Sequence, residues 1–189
     1  MNLPNKLTMA RVIMIPLFLA LFYVTAIGGH YLWALAVFVT AALTDTLDGR
    51  IARKRGLVTD FGALMDPLAD KLLIMAAMVA FAHVGIVHGA VVIVILAREF
   101  LVTSIRLVAA GKGQVIAADR WGKLKTVFQM LWVTLGLIML GVADSFLGGV
   151  ALPEEWGRVF AALTWIVTVL TGASGANYVV KNRKLFADA

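Results

Sequence analysis

The chain has 189 residues, 61% hydrophobic and only 15% charged, with a mean hydropathy of +0.92, which excludes an ordinary soluble globular domain. Cysteine is absent, so disulfides and thiolate metal sites are excluded as well. The net charge of +6 matches the Lys/Arg bias of cytoplasmic loops in membrane proteins and needs no nucleic-acid partner.

Apolar stretches run from Val12 to Gly29, Tyr31 to Thr44, Leu72 to Ala97, Thr126 to Ala143 and Val159 to Val180. Crossing a hydrocarbon layer of roughly 30 Å takes about 20 residues. The second stretch must therefore continue through Asp45 and Asp48 to about Arg53. The third is divided by a turn near Val84 to His88, and the helix after that turn passes through Arg98 and Glu99. Six helices are predicted, approximately 8–28, 33–54, 62–84, 88–110, 122–143 and 158–180. The expected fold class is all-α: a polytopic membrane protein with six transmembrane helices in a single domain over 1–189. The first apolar run follows Lys6 and Arg11 as a secretory signal would, but it is long, contains Pro16 and lacks a small-residue cleavage site, so it reads as a span. Trp33, Trp121, Trp156 and Tyr178 fall near span ends and read as interface anchors, while Met65, Met75 and Met78 read as core. His30, His83 and His88 fall near turns, away from any acidic cluster.

Lys and Arg accumulate in cytoplasmic loops. With the N-terminus inside, all of the 17 basic residues except Lys71, Arg98 and Arg158 belong to cytoplasmic segments, and both termini are cytoplasmic.

Asp45, Asp48, Asp66 and Asp70 stand inside otherwise apolar helical sequence that adjoins the basic residues Arg50, Arg53, Lys54 and Arg55. An Asp at the centre of a span costs roughly 2.5–3.5 kcal/mol even on the lenient insertion scale, so four together demand a compensating cation or a place near water. Asp45 and Asp48 are three apart and Asp66 and Asp70 four apart, spacings that put each pair on one helix face. Two such faces turned together would form an all-oxygen pocket suited to Mg²⁺ or Mn²⁺.

The run Asp45, Asp48, Gly49, Ala52, Arg53, then Gly62, Asp66 and Asp70 after eight intervening residues, resembles the signature D-x-x-D-G-x-x-A-R-x8-G-x-x-x-D-x-x-x-D of the CDP-alcohol phosphatidyltransferases, without departure. Six helices with cytoplasmic termini also match that family, so the resemblance covers essentially the whole chain. The segments from Leu3 to Thr8, Arg98 to Arg106 and Gly122 to Gln129 resemble the bacterial phosphatidylglycerophosphate synthase branch. That resemblance implies transfer of the phosphatidyl group of CDP-diacylglycerol to sn-glycerol 3-phosphate at the cytoplasmic face of a bacterial membrane, releasing CMP. It further implies that Asp45, Asp48, Asp66 and Asp70 hold a pair of divalent ions, that Asp70 also receives the acceptor hydroxyl's proton, and that the enzyme is a homodimer.

Gly49 and Gly62 remove side chains where a nucleotide or phosphate can approach the backbone, although small residues also serve helix packing in lipid. Arg53 has a fork of donors fitted to phosphate oxygens, its alternative role being a cytoplasmic anchor. Asn5, Thr8 and Thr59 resemble family positions around the cytidine and its diphosphate, and each could equally cap a helix.

Arg106, Lys123 and Lys125, with Arg98 in support, are expected to hold the acceptor's phosphate. Arg98 and Glu99 are expected to be poor partners, because adjacent residues point to different helix faces. An acceptor such as inositol phosphate, serine or a second phospholipid is the alternative within the family. A divalent-cation or proton transporter would place its acids near the midplane between repeated halves, and no repeat is visible here.

Overall fold

The computed structural model describes residues 3–55, 60–114, 120–148 and 152–183, with the backbone alone for 3–8, 45–55, 60–68, 70, 120, 121 and 123. The described residues form six helices and no strand: α1 Leu3–Tyr23, α2 His30–Arg55, α3 Asp60–His83, α4 Gly89–Gly111, α5 Arg120–Phe146 and α6 Glu154–Lys181. The inner four boundaries lie within a few residues of expectation. The helix expected at 8–28 instead runs from Leu3 to Tyr23, because Pro4 suits a helix's first turn and the chain turns before Gly29, whose φ is +66°. The helix expected at 158–180 starts at Glu154, behind Pro153 and with Glu154 and Glu155 in its first turn, where acids complement the helix dipole. His88 caps α4, its ring Nδ1 accepting from the Ala90 amide at 3.2 Å.

α1 packs on α2 and α3, α5 packs on α2, α3 and α6, and α4 packs chiefly on α6 and α3. An aromatic seam holds the centre. Trp132 and Phe160 stack with centroids 5.5 Å apart, Phe81 meets both edge-on, and Phe22, Phe18 and Phe38 extend the chain of rings toward α1 and α2. Gly136 permits this packing: a β-carbon there would stand 2.7 Å from the Phe81 ring and 2.8 Å from that of Phe160.

Polarity runs opposite to that of a water-soluble protein. Glu99, Lys125, Gln129 and Arg11 are buried, whereas Ile93, Phe100 and Leu107, seven residues apart along one face of α4, are 62–72% exposed. Exposed apolar surface on this scale belongs against lipid. Hydroxyls close onto their own helices, Thr164 on the Phe160 carbonyl and Thr168 on that of Thr164, each at 2.7 Å, as a medium without water requires. The segments Leu124–Phe146 and Glu154–Lys181 are each long and apolar enough to cross a membrane among the described residues. In α4, Arg98, Glu99 and Arg106 interrupt the apolar sequence.

Candidate active site

The acidic motif falls on two helices that touch. Asp45, Asp48, Gly49 and Arg53 belong to α2, and Gly62, Asp66 and Asp70 to α3, so the backbone is helical through both acidic pairs, as their spacing demands. The side chains of Asp45, Asp48, Arg53, Asp66 and Asp70 lie outside the described residues, as do those of Asn5, Thr8 and Lys123, and Thr59 lies outside them altogether. The donor chemistry fits a hard divalent cation: four carboxylates on helical registers three and four apart, with no sulfur or imidazole among them.

One residue beyond Asp70, α3 contributes Lys71 to a polar cluster that also draws on α4, α5 and α6. Glu99 is its centre. The same carboxylate oxygen, Oε1, accepts from Arg98 Nη1 at 3.0 Å and from the ammonium of Lys125. The second guanidinium nitrogen of Arg98, Nη2, donates to the Ser174 hydroxyl at 2.9 Å. Lys71 donates to the Thr103 hydroxyl, which itself donates to the Glu99 carbonyl at 2.7 Å. Arg106 donates through Nε to the Tyr178 hydroxyl at 3.2 Å, with its guanidinium carbon 5.6 Å from the centre of the tyrosine ring.

Two sequence expectations are corrected here. Arg98 and Glu99 do pair, because the long arginine stem bends back across the roughly 100° between adjacent helix positions. Tyr178 is not an interface anchor: it is buried against Val102, Ile105 and Arg106.

Arg98, Arg106 and Lys125, expected to act together, do line one pocket of about 340 Å³ with Lys71. A second pocket of about 220 Å³ shares Lys71, Glu99, Arg106 and Lys125 and continues inward over Ile74, Met75, Met78 and Gln129. Among the described residues, four cations thus line these pockets with a single carboxylate, Glu99, and anions are drawn to such an arrangement. Lys71, Glu99 and Gln129 carried no site assignment from sequence. Their signal was the cost of a polar group inside an apolar helix, and only the juxtaposition of α3, α4 and α5 turns that cost into a site.

A sequence model described as CDP-alcohol phosphatidyltransferase matches residues 1–171. The CDP-diacylglycerol–glycerol-3-phosphate 3-phosphatidyltransferase of Bacillus subtilis is 38% identical, over 96% of this chain and 95% of the relative. The protein of the same name from Rickettsia typhi is 39% identical, over 92% of this chain and 94% of its own. With the full acidic signature carried on two adjoining helices and the match spanning most of its length, this chain belongs to the CDP-alcohol phosphatidyltransferase family.

Proposed function

We propose that this protein is a membrane-bound enzyme that transfers the phosphatidyl group of CDP-diacylglycerol to the 1-hydroxyl of sn-glycerol 3-phosphate, giving phosphatidylglycerophosphate and CMP. The observation that carries a phosphorylated acceptor is the cationic pocket, which Lys71, Arg98, Arg106 and Lys125 line with Glu99. A phosphorylated acceptor needs such a pocket, and serine does not. The similarity to relatives named for this reaction, over nearly their whole length, supports the same reading.

In this reading all six helices span the bacterial cytoplasmic membrane, both termini are cytoplasmic, and the acidic motif faces the cytoplasm. Asp45, Asp48, Asp66 and Asp70 would hold a pair of Mg²⁺ or Mn²⁺ ions, which offset the charge of the donor's diphosphate when bound. Asn5, Thr8, Gly49, Arg53, Thr59 and Gly62 receive the CDP portion of the donor. Arg106, Lys123 and Lys125, with Arg98, hold the acceptor's phosphate. Asp70 orients the 1-hydroxyl and accepts its proton as the oxygen bonds to the phosphatidyl phosphorus and the bond to CMP breaks. Two copies assemble as a homodimer.

The test is turnover by purified protein in detergent with CDP-diacylglycerol, Mg²⁺ or Mn²⁺ and, in turn, glycerol 3-phosphate, inositol phosphate, serine or no alcohol. CMP release with glycerol 3-phosphate alone is the expected result. Turnover with another acceptor and none with glycerol 3-phosphate would overturn the specificity, and silence with every alcohol would overturn the activity.

A further inference from the structure

Gln129 lies in α5 one turn beyond Lys125, with only 2% of its surface exposed. Its amide nitrogen is buried and has no hydrogen-bond partner among the described residues. A buried amide in that state is destabilising, and a membrane helix could have avoided it with Leu or Met. Gln129 nevertheless lines the same pocket as Met75, Met78 and the cations Lys71, Arg106 and Lys125. A neutral side chain sharing a pocket with three cations is placed to meet an uncharged part of a ligand whose charged part the cations hold. An amide both donates and accepts, as a hydroxyl does. The rise from Lys125 to Gln129 is about 6 Å, the reach of a small polyol phosphate.

We propose that Gln129 is a specificity-determining residue that hydrogen-bonds the non-reacting hydroxyl of the acceptor, the C2 hydroxyl of glycerol 3-phosphate. The inference rests on the acceptor reading given above. It makes the unpartnered amide a recognition group that is satisfied only when a polyol phosphate is bound. An acceptor that lacks this hydroxyl leaves the amide unpaired, and the site discriminates against it.

The experiment compares glycerol 3-phosphate with 3-hydroxypropyl phosphate, which retains the phosphate and the reacting hydroxyl but lacks the C2 hydroxyl, in the wild type and in Gln129→Met. The wild type is expected to prefer glycerol 3-phosphate by at least about tenfold in kcat/KM, the scale of one buried hydrogen bond. Gln129→Met is expected to lose that preference through slower use of glycerol 3-phosphate, to keep its KM for CDP-diacylglycerol, and to melt no lower than the wild type without ligand, because an orphaned amide has been removed. Gln129→Asn, which keeps a shorter amide, is expected to show a partial preference and carries the test if the Met variant does not fold. Retention of the full preference in Gln129→Met overturns the proposal. An equal fall with both acceptors and a lowered Tm also overturns it, by making the amide a packing element. Failure of the acceptor reading itself shows separately, as a wild type that uses neither compound.

Discussion

The β-carbon that Gly175 lacks would stand 2.7 Å from Cγ of Arg98. The arginine stem crosses α6 through that gap and delivers its two terminal nitrogens to Glu99 and Ser174. Gly175→Ala adds helix propensity worth up to about 1 kcal/mol, but overpacking costs about 1–3 kcal/mol, and the clash involves the stem and not its mobile tip. The clash should win. The expected outcome is a Tm lower by about 2–6 °C in detergent and a raised KM for glycerol 3-phosphate. A higher Tm with unchanged KM would show that the gap is not needed.

Glu99 is the sole carboxylate between Arg98 and Lys125 among the described residues. Removing one partner of a buried ion pair costs about 3–5 kcal/mol, because the remaining charge has lost its compensation. Glu99→Gln should therefore be strongly destabilised in thermal melts. The double variant Glu99→Gln with Lys125→Met should regain part of that stability, Arg98 still lacking its carboxylate, without regaining turnover. Additive losses in the double variant would mean that the two residues are not coupled.

Arg106 and Tyr178 separate charge from support. Arg106→Gln removes a cation from the pocket and should raise the KM for glycerol 3-phosphate about tenfold or more, the KM for CDP-diacylglycerol staying near its wild-type value. Tyr178→Phe removes one hydrogen bond and keeps the ring under the guanidinium, so its effect should stay within about tenfold. Initial-rate kinetics with each substrate varied in turn would check both, and equal effects on the two KM values in Arg106→Gln would remove Arg106 from the acceptor site.

The acidic motif makes a prediction about metal. Chelation with EDTA should abolish CMP release, and added Mg²⁺ or Mn²⁺ should restore it. Asp66→Asn, which keeps size but loses charge, should be inactive at any metal concentration. Normal activity in that variant, or in chelated enzyme, would refute the carboxylate site.

Much of this was legible from sequence, for identifiable reasons. The helices were visible because lipid-facing and core positions are both apolar, and the continuation of the second helix past the acids, expected to about Arg53 and observed to Arg55, was legible from the length of the apolar run. The acidic motif stood out because carboxylates in such sequence carry a known cost. The start of α6 at Glu154 was missed because hydropathy tracks the apolar run and ignores the Pro153 cap. Tyr178 was misplaced because position along a helix does not reveal which neighbour covers a ring. Glu99 and Gln129 needed three helices brought together before their roles had any local meaning.

Asp70 and Lys71 are consecutive residues of α3, one in the acidic motif and the other in the cationic pocket. A helix is stiff over so short a distance, so it serves as a ruler between the two chemistries. In the proposed reaction the separation between a captured phosphate and the reacting oxygen would thereby be measured in advance, and an alcohol of the wrong length would fail on reach before its affinity mattered.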